Sequence, residues 1–213
     1  MEPFIKNEQY NFIQKQVLWV KDSIKQHLPP GVLASVFDVT NEKIVNCIPH
    51  LTDEQHALVD FSACKSAEAY EQKFAGLENY INPFPTVTEQ QLKKLFPKSK
   101  KLKLPNIPME QLSYFSWIDS RSSKKYILYM LDEQLVGIEC TFSPSTRKNI
   151  CSICSCHGEV TQFSTITKAK KVNNPDYYKS IGNYICMDSV KCNKNITDTT
   201  YLEEFLKESL KSK

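Results

Sequence analysis

Eight of the 213 residues are cysteine, and five of them fall between positions 151 and 192. Cys151-Ser152-Ile153-Cys154 is a C-x2-C pair. Cys186 and Cys192 form a C-x5-C pair after 31 intervening residues. Two thiolate pairs supply the tetrahedral four-sulfur shell that Zn²⁺ prefers, with Zn–S distances of ~2.3 Å. A C-x2-C turn lets both sulfurs converge on one ion. The second pair fits a strand end, 183–186, running into a helical turn, so knuckle, hairpin and helix would follow in treble-clef order. Cys156 and His157 stand beside the first pair as competing donors, but Cys156 would point away from a metal already held by Cys154. The favoured ligand set is Cys151, Cys154, Cys186 and Cys192. A catalytic zinc needs an open coordination position and a nearby acid or base. Four thiolates close the shell, and no H-E-x-x-H accompanies them. Cys156 and His157 as nucleophile and base are disfavoured, because adjacent residues rarely orient each other. No enzymatic chemistry is expected. Cys47, Cys64 and Cys140 lie in apolar periodic segments and read as small buried hydrophobes.

The rest of the composition narrows the classes. Five glycines, at 31, 76, 137, 158 and 182, cannot build a G-x-G-x-x-G turn or a P-loop. The first ten residues lack an apolar secretory core, and no run approaches the ~20 apolar residues of a membrane span. A cytoplasmic protein with reduced thiols is expected, where clustered cysteines point to metal before disulfides. The net charge of +3 is uneven. Residues 1–84 carry 7 Lys against 11 acids, a balance of −4, and residues 85–213 carry 20 basic against 13 acidic residues, a balance of +7. That basic second part is suited to acidic protein surfaces or RNA.

Helices are expected to dominate the first part. Tyr10, Ile13, Val17, Val20 and Ile24 recur at helical spacing. Pro29-Pro30-Gly31 stops that helix, and a second runs over 32–48 with Val36, Val39, Ile44 and Ile48 as core and a weak point at Thr40-Asn41. Thr52 and Gln55 form a capping box for a third. Ser66 caps a fourth carrying Tyr70, Phe74, Leu77 and Ile81. Thr88 caps a short helix ending at Phe96, and the Lys-rich stretch 98–103 follows, read as solvated surface in preference to a linker or a partner contact. Beyond Ser113 the runs 114–118, 125–130 and 135–140 read as antiparallel strands with turns at Ser122-Ser123 and Asp132-Glu133-Gln134. Helix returns over 198–210, with Phe205 on its apolar face. The expected fold class is α+β. It comprises an N-terminal four-helix bundle, residues 1–84, followed by an α/β C-terminal domain, residues 85–213, with a treble-clef zinc finger.

Landmarks in the second part carry a further signal. They are Leu102-Lys103-Leu104-Pro105, Phe115-Ser116-Trp117, Ser123-Lys124-Lys125-Tyr126-Ile127, the first cysteine pair, Gly182-Asn183-Tyr184-Ile185-Cys186, Asp188-Ser189 and Cys192-Asn193. With them the chain resembles the elongation factor G-binding proteins of the FusB/FusC fusidic-acid-resistance type, specifically over about residues 98–206. The resemblance implies a monomeric cytoplasmic protein with a structural Zn²⁺ on the same four cysteines. It implies binding to elongation factor G (EF-G) on or off the ribosome, with ribosomal RNA nearby, and release of the factor when fusidic acid has trapped it. It implies partner-binding roles for Tyr184 and Phe205, and for Lys179 in place of a family lysine whose own position holds Ile181. Ile150 replaces a family aromatic. Two other classes stand beside it: a zinc-dependent RNA- or ribosome-binding module without EF-G specificity, disfavoured by only two arginines, and a zinc hydrolase or transferase, disfavoured by the closed shell.

Overall fold

The computed structural model describes residues 1–99, 102–106, 108–167 and 178–211, with residues 143 and 144 described by backbone only. Lys100 and Lys101 of the basic stretch lie outside the described residues. The chain divides into two compact units, Met1–Asn82 and Pro83–Lys213.

The first unit is helical: α1 (Asn7–Lys25), α2 (Pro30–Asn46), α3 (Asp53–Val59) and α4 (Ala67–Gly76), then a 3-10 turn over Leu77–Tyr80. Ile13, Val17 and Val20 of α1 are buried with Val36, Phe37 and Ile44 of α2, and Phe61 and Tyr70 stack at 5.3 Å. The caps follow local chemistry. Thr52 Oγ1 accepts from the Gln55 N–H, and Ser66 Oγ accepts from the Ala69 N–H. Pro29-Pro30 ends one helix and starts the next, because proline at the first helical position gives up an N–H that has no partner there.

Four expectations change. Helix α2 is unbroken across Thr40-Asn41, because Thr40 is buried in the bundle and Asn41 Oδ1 turns outward to accept the Phe61 N–H. Val39 is 41 % exposed, and Phe37 and Thr40 take the core positions. Ile81 lies beyond the helix, bridging Ile5 in extended conformation. Cys47 is only half-buried at the end of α2.

The second unit begins with α5 (Glu89–Leu95), followed by a five-stranded antiparallel sheet in the order β1-β2-β3-β4-β5. The strands are β1 (Phe115–Asp119), β2 (Lys124–Leu131), β3 (Gln134–Ile150), β4 (His157–Ile166) and β5 (Ser180–Cys186). Helices α6 (Ser189–Asn195) and α7 (Thr200–Leu210) follow. Strand β2 reads as a nearly continuous apolar run because it is covered on both faces. Tyr126 and Leu128 join Phe96, Phe115 and Trp117 beneath α5, while Ile127 and Tyr129 face the cysteine-bearing core with Leu202 and Leu206. Strand β3 is longer than its apolar run because Pro144 falls where the register shifts between Phe142 and Thr146, a place a sheet tolerates proline. Strand β4 was hidden by hydroxyl side chains: Thr161 and Thr165 are buried alongside Val160 and Phe163.

Candidate metal centre

The β3–β4 connection is the first knuckle. Its tight turn places Ser155 at φ 56°, and the Ser155 N–H donates to the Cys151 carbonyl at 2.8 Å. The Cys151 N–H donates in turn to the Cys156 carbonyl at 3.0 Å, closing the loop. The second half comes from the end of β5 and from α6. Asp188 caps α6, its Oδ1 accepting from the N–H groups of Val190 and Lys191, and this turn brings Cys192 back towards Cys186.

The four sulfurs of Cys151, Cys154, Cys186 and Cys192 lie within 4.8 Å of one another, and all four residues are buried. Cys151 Sγ stands 3.8 Å from Cys192 Sγ, and Cys154 Sγ 3.8 Å from Cys186 Sγ. Four sulfurs each ~2.3 Å from a tetrahedral zinc are ~3.8 Å apart, so the spacing fits the ion. The Cys186 N–H donates to Cys151 Sγ at 3.3 Å, and the Ser152 N–H to the Tyr184 carbonyl at 2.9 Å, pinning the first knuckle on the outer edge of β5. Hydrogen bonding from the Cys154 thiol, then from those of Cys186 and Cys192, holds Cys151 far below the usual thiol range. The same hydrogen bonds push Cys186 and Cys192 well above that range, so all four become thiolate, the form a metal binds, only with a cation among them. Four cysteines with this spacing and a treble-clef arrangement fit structural Zn²⁺.

Some residues around the cluster, Asn193 and Lys125 of the landmarks among them, have structural roles that the sequence alone does not assign. Asn193 is buried next to Cys192 and satisfies both ends of its amide. Its Oδ1 accepts from the N–H groups of Ser113 and Tyr114, and its Nδ2 donates to the Tyr114 and Ser189 carbonyls. It therefore locks α6 to the start of β1. Tyr114 is fully buried beside Cys192, and burial first, then the Cys192 thiolate, hold its hydroxyl well above the usual phenol range. Lys125, one of the landmark residues, has no exposed surface. The available signals were Asn193 directly after a ligand and a lysine inside an apolar strand.

Lys179, Phe205 and Tyr184 do not converge on one face. The Lys179 Nζ pairs with Glu208 at 2.5 Å, three residues beyond Phe205 on α7. The half-buried Phe205 ring stacks on Tyr201 at 6.2 Å. Lys179 and Phe205 thus share the α7 side. Tyr184 projects from the opposite face of β5 to Asn183 and Ile181, since successive strand residues alternate. The Arg147 guanidinium lies 5.1 Å from its ring centroid. Ile150 is exposed at the end of β3.

No helix among the described residues is long and apolar enough to cross a membrane. A family model for the FBP C-terminal treble-clef zinc-finger matches residues 96–211, and one for the elongation factor G-binding protein N-terminal region matches residues 4–85. No curated protein matches. The solved structure of the fusidic acid resistance protein FusC superposes with a TM-score of 0.76 at 29 % identity, covering 96 % of this chain and 97 % of that one. With two family models over its two units and a four-thiol cluster at the expected knuckles, the chain belongs to the FusB/FusC-type elongation factor G-binding proteins with a C-terminal treble-clef zinc finger.

Proposed function

We propose that this protein binds EF-G and frees it from ribosomes stalled by fusidic acid, acting by contact and without covalent chemistry. The observation that carries this is the match to FusC over nearly the full length of both chains, beside a four-cysteine cluster in the zinc-finger unit. Zinc is structural here. The second unit splits its apolar residues between two small cores on opposite faces of one sheet, and small cores commonly need a metal staple. The closed thiolate shell leaves the ion no position for a substrate.

Tyr184, Phe205 and Lys179 are the proposed contacts. They flank β5 on both faces, so a partner gripping that edge of the sheet would reach all three. The Lys179–Glu208 pair means that an acidic group on the partner competes with an internal one, a modest cost for an exposed pair. Release of a trapped factor requires tighter binding to its ribosome-free conformation than to the stalled one, since a ligand of equal affinity shifts nothing. The direct test is capture of purified EF-G by the zinc-loaded protein, repeated after chelation, with fusidic acid susceptibility measured with and without the gene. Capture that depends on zinc, with reduced susceptibility, is expected. No capture by the zinc-loaded protein overturns the proposal. Steeply salt-dependent RNA binding in place of capture would point to the RNA-binding alternative.

A further inference from the structure

A lysine with no exposed surface is expensive unless its ammonium is fully engaged. Lys125 on β2 is such a residue, fully buried on the face that carries the cysteine core. Its Nζ donates to the Cys186 carbonyl at 3.1 Å and to the Met187 carbonyl at 3.3 Å, and it stands 5.0 Å from the Phe163 ring centroid. These two carbonyls are the last turn of backbone between β5 and α6, the segment that must bend to bring Cys186 and Cys192 onto one ion. The next residue, Asp188, is the cap of α6. The lysine therefore crosses from the middle of the sheet to the hinge of the second knuckle.

Charge supports the same conclusion. Four thiolates around Zn²⁺ carry a net charge of −2, in an interior that screens little. Among the described residues, Lys125 is the only lysine or arginine with no exposed surface.

We propose that Lys125 is a positioning residue for the zinc. Its ammonium fixes the Cys186–Met187 backbone and opposes the net charge of the thiolate shell, thereby raising metal affinity. This presupposes the zinc centre described above and assigns to it a residue outside the ligand knuckles. Outer partners of metal ligands typically contribute 10–100-fold in affinity.

The test compares Lys125→Met, which keeps length and apolar stem, with Lys125→Gln, which is neutral yet polar. Leu128→Ala serves as a control on the same strand but under the opposite face. Zinc affinity is measured by competition with a chromogenic chelator, and the Co²⁺-substituted proteins are examined for the thiolate-to-metal charge-transfer band and the ligand-field bands. Lys125→Met is expected to lose zinc affinity at least tenfold and to shift the ligand-field bands. Lys125→Gln should lose at least fivefold, and it alone decides the matter if Lys125→Met does not fold. Leu128→Ala should lower the melting temperature, and zinc affinity only by what that lost stability accounts for, with the Co²⁺ ligand-field bands unchanged. Variants at Lys125 that bind zinc within twofold of the parent overturn the proposal, as do Lys125 variants whose loss of affinity is matched by their loss of stability and whose Co²⁺ bands are those of the parent. A parent protein that binds no zinc refutes the metal centre itself, a distinguishable failure.

Discussion

Gly182 offers the sharpest test of how the sheet delivers a ligand to the metal. It sits opposite Ser164 across the β4–β5 pair. The Thr167 N–H donates to the Lys179 carbonyl at 2.8 Å, which sets the phase of the ladder. In that phase Thr165–Ile181 and Phe163–Asn183 are the hydrogen-bonded pairs, and Gly182 lies between them at a site of closest Cα approach. A Cβ there would stand 2.3 Å from the Phe163 carbonyl oxygen and 2.9 Å from both Ser164 Cα and Cβ. The obstacles are mainly backbone, so no side chain can swing aside. Restoring ordinary contact requires β5 to retreat by about 1 Å, which breaks or stretches two to three ladder bonds at about 1 kcal/mol each and loosens the packing of Ile185. Gly182→Ala should therefore cost about 2–4 kcal/mol, or about 8–15 °C in melting temperature for a unit of this size. Because β5 carries Cys186, zinc affinity should fall as well. Gly158→Ala is the internal control, since a Cβ at that β4 position meets nothing within 4 Å. Differential scanning calorimetry of the zinc-loaded proteins, with chelator titration alongside, gives both quantities. Equal melting temperatures for Gly182→Ala and Gly158→Ala would refute the close-approach account.

Chelation of zinc should unfold the second unit and spare the first, whose core holds no member of the four-cysteine cluster. The two tryptophans report on one unit each, Trp19 on the first and Trp117 on the second. In Trp19→Phe, loss of the Trp117 signal on chelation with retained helical circular dichroism is expected. Gly137→Ala should be milder than Gly182→Ala, about 1 kcal/mol by denaturant melting, because its new Cβ meets chiefly the Phe96 ring tip at 2.7 Å and Leu128 Cδ2 at 3.0 Å, which can give way. The β2–β3 turn holds Asp132 and Glu133 at φ 48° and 63°, so Asp132→Asn with Glu133→Gly should stabilise by about 1–2 kcal/mol, read as a rise in melting temperature. Burial pushes the Cys140 thiol up to about 12. The unfolded thiol ionises near ~8.5, so the folded form binds the proton more tightly and stability falls from about pH 9 to 12. The slope for this one group is about 1.4 kcal/mol per pH unit. Urea melts at pH 9 and 10.5 should show that slope reduced in Cys140→Ala.

The metal cluster was legible because its signal is chemical and local. C-x2-C fixes two sulfurs within one turn, and a second thiol pair completes a tetrahedral shell whatever the loops between do. The caps were legible for a similar reason, as Thr52, Ser66 and Thr88 each act on an N–H three residues away. Features decided at long range were not. Nothing near Thr161 or Thr165 announces burial, and β4 exists because β3 and β5 pair with it on either side. Val39 has the spacing of a core residue and stays exposed because the neighbouring helices cover the Phe37 and Thr40 side of α2. Lys125 stands in an apolar strand run and among the landmarks, but neither signal says that it is buried. Its burial depends on the Cys186 and Met187 carbonyls, 61 and 62 residues away, which accept from its ammonium.

The same long-range pairing decides how the proposed partner contacts work. Spacing in the chain puts Lys179 and Tyr184 five residues apart, which in an extended strand is an odd step and hence opposite faces. Lys179 is tied to α7 through Glu208, and Tyr184 is covered by Arg147 from β3. Loss of one contact should then leave the other intact, because each is held by a different element. If the partner grips the β5 edge, Tyr184→Ala and Phe205→Ala should each weaken EF-G capture, and the double variant should lose about the sum of the two free energies. Glu208→Gln should strengthen capture about twofold to fivefold, because it frees Lys179 from its internal acid without touching the apolar contacts. Surface plasmon resonance on immobilised EF-G separates these effects. A double variant no weaker than the worse single one would mean that Tyr184 and Phe205 act as one coupled patch, contrary to their placement on opposite faces. Weaker capture by Glu208→Gln would show that the Lys179–Glu208 pair shapes the surface instead of competing for it.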